Sequence, residues 1–256
     1  MDNVRKPKIM IGKKGIDVEL CGLKPEEVTY LAVYCESKNA DLGLLSDYPN
    51  VETLFVNGEF APTGGNIDVD GISALKRLQK LILLLPAAAD LSRVSVPTLK
   101  SLTVYGRINS GLSALLTDNI EYLELKGMRG VSDLSFIEGM SGLKKLYLDS
   151  MPAVERLPDF GKMPNLYGLK VYELHKLNDI GSLTRSDIRF LDLTLAADKL
   201  SGTKIAEILL QMPRLERFSG ILDRNDRRDN VLENRLEKAG KSALWEYFDY
   251  DEWTKL

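Results

Sequence analysis

Along the chain, apolar residues recur in triplets spaced apolar-x-x-apolar-x-apolar: Val28/Leu31/Val33, Val51/Leu54/Val56, Leu78/Leu81/Leu83, Leu99/Leu102/Val104, Ile120/Leu123/Leu125, Leu143/Leu146/Leu148, Leu166/Leu169/Val171, Ile188/Leu191/Leu193 and a weaker Leu215/Phe218/Gly220. Their central residues lie 23, 27, 21, 21, 23, 23, 22 and 27 positions apart. Alternation within a triplet predicts a short strand, with apolar side chains on one face and the intervening residues on the other. One such strand cannot bury its own apolar face. Neighbours must therefore stack into a parallel sheet over a shared core, and the chain between them must return on the far side.

The return segments carry their own period. Leu125, Met128, Val131, Leu134, Ile137, Met140 and Leu143 are three apart, as are Leu148, Met151, Val154, Leu157, Phe160, Met163 and Leu166. A period of three predicts extended or 3₁₀ turns rather than α-helix. Thr203 to Met212 differs: Ile205, Ile208, Leu209 and Met212 fall on one face of a helix. Ahead of the first triplet, Ile9 to Leu20 reads as a hairpin turning at Gly12-Lys13-Lys14-Gly15. Beyond the last, Val231, Leu232, Leu236 and Ala239 predict an amphipathic helix with Asp229 as N-cap, followed by Trp245, Tyr247, Phe248, Tyr250 and Trp253.

The triplets and their spacing resemble the leucine-rich repeat (LRR) proteins, of the irregular bacterial and plant type, from Val28 to Leu222. The resemblance implies an α/β fold: a right-handed LRR solenoid of about nine repeats, with a parallel β-sheet on its concave face and a cap at each end. Residues 1–27 would form a hairpin cap, 28–222 the repeats and 223–256 a helical, aromatic-rich cap, in one structural domain. The sequence departs from the family at the position three after the last strand leucine, commonly Asn or Cys, which here is Met128, Met151 and Leu174. No asparagine ladder is expected, so the buried turn carbonyls must find partners elsewhere.

Composition narrows the function. At 44% hydrophobic and 28% charged the chain has the balance of a folded protein, and its longest apolar run, Leu81 to Ala89, is too short to span a bilayer. Residues 1–15 hold only the short apolar stretch Ile9 to Ile11, so no secretory hydrophobic region is read and a cytoplasmic location is expected. Cys21 and Cys35 are too few for a disulfide scaffold. A net charge of −3 from 34 basic and 37 acidic residues provides no field to collect nucleic acid or a membrane surface.

Chemistry is sparse. His175 is the single histidine, no motif marks a nucleophile, and two distant cysteines with one histidine cannot make a typical zinc shell. Asp223 to Asn230 lacks the glycine and glutamate of a calcium loop, and Gly12-Lys13-Lys14-Gly15 lacks phosphate-loop spacing. No enzyme, catalytic residue, cofactor or metal is expected.

The residues predicted to face outward from the strands are distinctive: Tyr30, Tyr34, Phe55, Tyr105, Tyr122, Tyr147, Tyr167, Tyr172 and Phe190 take seven of the ten tyrosines. Strand preference accounts for part of this, but a monomer gains little from aromatics on an open face, whereas tyrosine enrichment marks interface hot spots. Lys126, Lys145 and Lys170 should surround Tyr122, Tyr147 and Tyr172, completing the expected partner-binding surface. Acids such as Glu124, Asp149 and Asp192 share that face, and mixed charge suits a protein partner better than nucleic acid. The alternatives are an immunity protein that neutralises a bacterial toxin domain, by analogy alone, or a non-catalytic subunit of an enzyme complex.

Overall fold

The central residue of each of the nine triplets lies on a strand in the computed structural model of the chain, which describes residues 6–59, 61–62, 66–195, 200–222 and 227–245, without the side chains of 86–88 and 107–110. Tyr247, Phe248, Tyr250 and Trp253 lie outside the described residues. The strands are β1 (Lys8–Gly12), β2 (Gly15–Glu19), β3 (Tyr30–Cys35), β4 (Asn39–Asp41), β5 (Thr53–Asn57), β6 (Asn66–Asp68), β7 (Lys80–Asp90) and β8 (Ser101–Ser110), then β9 (Tyr122–Lys126), β10 (Lys145–Asp149), β11 (Gly168–Tyr172), β12 (Phe190–Thr194) and β13 (Arg217–Ser219). The helices are α1 (Leu112–Leu115), α2 (Gly202–Gln211) and α3 (Arg227–Lys238). Contacts divide the chain into an N-terminal unit ending at Ile120 and a C-terminal unit beginning at Glu121.

In the N-terminal unit the sheet runs β2-β1-β3-β5-β7-β8. β1 and β2 form the expected hairpin, closed by the Gly12–Gly15 pair, and β1 joins β3 in parallel. The parallel register aligns Leu31, Leu54, Leu81 and Leu102 in one row, each fully buried. In the C-terminal unit the parallel order is β9-β10-β11-β12-β13, and Leu123, Leu146, Leu169, Leu191 and Phe218 form the equivalent buried row. Each unit is a repeat solenoid of strand, turn and return segment. At the weak ninth triplet, the glycine at 220 has a physical cause: its φ is 145°, and a Cβ there would sit 1.8 Å from the Leu193 carbonyl oxygen.

The return segments are 3₁₀ turns at Gly43–Asp47, Asp70–Ala74, Ser135–Ile137, Phe160–Lys162 and Gly181–Arg185, as a period of three demands. Their apolar residues are buried from Leu148 through Leu166; Val131 is the departure, only half-buried. In the N-terminal unit, β4 and β6 pair in parallel on this return side. α2 forms as the helical spacing predicts, with Ser201 as N-cap and Ile205, Ile208, Leu209 and Met212 buried. Asp229 is not the N-cap of α3: the helix begins at Arg227, and the Asp229 carboxylate accepts instead from the Leu222 amide at 3.0 Å. Beyond α3, Trp245 bridges to Phe218 of β13, the two rings 4.9 Å apart.

The partners of the turn groups are now visible. Gly127, Ser150 and Glu173, one residue past successive strands, share a left-handed backbone with φ of 62°, 51° and 50°. Their N–H groups donate to the carbonyls of Asp149, Tyr172 and Thr194 on the next strand, at 2.8–2.9 Å. The turn drives Met128, Met151 and Leu174 into the core. Aspartates open the return turns instead. Asp41, Asp68, Asp90, Asp133, Asp159 and Asp179 each accept from the backbone N–H two residues on, at 2.7–3.2 Å. A second series precedes the strands: Asn50, Thr98, Asn119 and Asn165 donate to backbone carbonyls of Glu26, Leu78, Pro97 and Ser141, one repeat earlier, at 2.7–2.8 Å.

Candidate functional site

Side chains alternate along each strand, so the residues between the buried leucines share the outward face. In the C-terminal unit the register sets them in three rows. The first is Tyr122, Lys145, Gly168, Phe190 and Arg217; the second Glu124, Tyr147, Lys170, Asp192 and Ser219; the third Lys126, Asp149, Tyr172 and Thr194. Tyr122, Tyr147 and Tyr172 therefore step diagonally across the face, one row per strand. Lys145 and Lys170 follow a parallel diagonal, and Lys126 stands in the third row beside Asp149.

The face is knit by its own contacts. The Tyr147 hydroxyl donates to Asp149 Oδ2 at 3.2 Å, Lys126 Nζ lies 2.8 Å from the same oxygen, and the Ser150 hydroxyl donates to Oδ1 at 2.6 Å. Three donors thus satisfy a carboxylate whose side chain is only 2% exposed. Lys170 Nζ sits 4.9 Å from the centre of the Tyr147 ring, and the Tyr122 hydroxyl donates to Glu124 at 3.1 Å. Burial, then the nearby Asp149 carboxylate, raises the Tyr147 phenol well above its ordinary pKa, and burial also raises Tyr167. Lys145 is lowered by burial and by its neighbour Lys144.

Not every expected contact residue is available. Phe190 has outward parity yet is 4% exposed, because the Tyr167 ring meets it edge-on at 6.3 Å and the Arg189 guanidinium lies 5.3 Å from its centre. Tyr172 is the most open of the diagonal tyrosines, at 36%.

The N-terminal unit carries a different surface. Tyr34, Asn57, Leu84 and Tyr105 share one row, and Phe55, Ile82 and Thr103 the next. Tyr34 and Phe55 meet edge-to-face at 6.0 Å, while Tyr30 stands four residues before Tyr34 on β3 with Lys6 Nζ 4.8 Å from its ring centre. Ile82 and Leu84 were missed by sequence reasoning. Their signal was the unbroken apolar run from Leu81 to Leu85, which makes both faces of β7 apolar.

Among the described residues, no group of three or more His, Cys, Asp or Glu is placed to hold a metal ion. Among the described residues, no helix is long and apolar enough to cross a membrane. Cys35 is buried, its thiol pushed up to about 11 by that burial, and Cys21 is exposed.

No family model matches this sequence. No curated protein matches it. Among solved structures the chain is similar to an internalin from Listeria monocytogenes, at 13% identity over 91% of this chain and 90% of that one, with a TM-score of 0.43.

Proposed function

We propose that this protein is a non-catalytic binding module that holds another protein against the outward face of its parallel strands. The observation that carries the reading is the diagonal of Tyr122, Tyr147 and Tyr172, with two of its three hydroxyls already committed to neighbouring carboxylates. Aromatic side chains held in place before binding lose little entropy on docking, and tyrosine is among the residues in which interface energy concentrates. The aromatic and aliphatic residues Tyr34, Phe55 and Leu84, in two adjacent rows, support the same use of the face in the N-terminal unit. The mixture of lysine and acid between the tyrosines favours a folded protein over nucleic acid. In this reading the β1–β2 hairpin and the α3–Trp245 segment are the two caps of a leucine-rich solenoid, supported by the Trp245 ring over Phe218.

The test starts from a partner recovered by affinity purification and then measures its affinity for defined variants. Tyr172→Ala should weaken binding by about tenfold or more, and Lys170→Glu should weaken it further, with unchanged melting temperatures. Tyr147→Phe is the control for hydroxyl loss with the ring retained; alanine there would also strip a donor from buried Asp149. Full affinity in well-folded Tyr172→Ala and Lys170→Glu proteins would move the binding surface off this face.

A further inference from the structure

Among the described residues β2 is the outermost strand of the N-terminal sheet, and its apolar residues are open: Ile16 is 57% and Val18 45% exposed. They share a face with Ile9 and Ile11 of β1, which are buried, so the apolar surface of the sheet continues one strand beyond its cover. Gly12 and Gly15 flank a two-residue turn, and hydrogen-bonded pairs therefore alternate through Met10–Asp17 and Lys8–Glu19. The backbone groups of Ile16 and Val18 consequently point away from β1, along the open edge.

The other face of this edge sets the chemistry of what can join it. Asp17 lies between the two apolar residues and has no ion pair among the described residues. It lines a cleft of about 730 Å³ at the hairpin tip together with Met10, Glu36 and Pro62, with Lys13 and Lys14 at the turn end. Two copies pairing antiparallel with Ile16 opposite Val18 would set Asp17 against Asp17, a like-charge pair that opposes the contact. A strand with a base at that position meets no such penalty.

We infer that the free edge of β2 accepts an extended segment of a partner protein, antiparallel, with apolar residues opposite Ile16 and Val18, a lysine or arginine opposite Asp17, and an acid passing Lys13 and Lys14. Backbone pairing supplies the attraction and the alternating side chains the selection. Asp17 lies in one row with Met10 and Tyr34, so this edge adjoins the aromatic face of the N-terminal unit, but backbone pairing along β2 does not require the tyrosines.

The probe is the acetylated, amidated peptide VKVTE, titrated to millimolar concentration into the isotope-labelled full chain and followed by amide chemical shifts and hydrogen exchange. Ile16 and Val18 amides should shift and exchange more slowly. The charge-swapped peptide VEVTK should bind about fivefold or more weakly. Asp17→Lys should reverse that preference, with its melting temperature as the control for folding. N-methylation of the two valines should abolish binding while retaining both side chains. Shifts centred elsewhere, or a preference untouched by Asp17→Lys, would overturn the proposal. So would concentration-dependent protection of the same amides without peptide, since a second copy would then be the occupant.

Discussion

Asp149 shows how much a single residue can require of its surroundings. A carboxylate this buried is tolerated only with its oxygens satisfied, and Lys126, Tyr147 and Ser150 do this from two adjacent strands and one turn. Asp149→Asn removes the charge and retains an acceptor, so the Tyr147 phenol should titrate at lower pH than in the wild type. It should remain above an exposed tyrosine, because burial is the larger cause. Carbon-13 NMR of the phenol carbon reads this directly, and an unmoved titration would mean that Asp149 does not govern Tyr147. The raised pKa also gives a sign for stability. The unfolded chain ionises this phenol first as pH rises past about 10, so the contribution is full below that value and lost above it.

At the scale of the element, each repeat combines a buried strand with an aspartate-opened turn, and the two make different contributions. Leu146 lies in mid-core between Leu123 and Leu169, and Leu146→Ala should cost about 2 to 5 kcal/mol through lost burial and the cavity left behind. Asp179 accepts from one amide at the start of Gly181–Arg185, and Asp179→Ala should cost about 1 kcal/mol, by analogy with loss of a helix cap. Urea unfolding of both variants checks the order; an Asp179 effect as large as that of Leu146 would mean that the turn nucleates its repeat. The six such aspartates were legible in the sequence as Asp, an apolar residue, a third residue that is Gly, Ser or Asp, then an apolar residue two further on, from Asp41-Leu42-Gly43 to Asp179-Ile180-Gly181. Reading only the apolar positions concealed them.

For the whole molecule, carboxylates on the return side couple stability to acid. The Lys162 ammonium and the Asp159 backbone N–H hold Glu138 below its ordinary pKa; the Arg185 guanidinium does the same for Asp159, and the Ser135 backbone N–H for Asp133. A depressed carboxyl stabilises the fold above its unfolded pKa of about 4, and that contribution disappears as pH falls through the folded value. Melting temperature should therefore drop as pH falls below about 4, and less steeply in Glu138→Gln. Asp133 is exposed and Glu138 and Asp159 are partly covered at the surface, with exposed cationic partners, so salt should blunt the effect. An identical acid profile in Glu138→Gln would remove that residue from the account.

The sequence by itself determined where the nine repeat strands lie and which of their faces is buried, because a period of two with one apolar face admits one arrangement of a stacked strand, but it did not show the β4–β6 pair. It likewise determined the 3₁₀ character of the returns, the helix after Ser201 and the hairpin turning at Lys13 and Lys14. Of the twelve expected contact residues, eleven have the outward parity the sequence indicated, whereas Tyr167 precedes β11 and lies outside the strand register; accessibility was not legible for any of them. Only tertiary structure decided that Phe190 is covered by Tyr167, that Asp149 is buried under its donors, and that the three tyrosines run diagonally. Parity is a local property of one strand, whereas cover and row depend on the register between strands and on what neighbouring repeats place alongside. The same cause governs the turns that follow the strands: left-handed backbone at Gly127, Ser150 and Glu173 aims N–H donors at the next strand, and their success depends on a carbonyl that only stacking brings within reach.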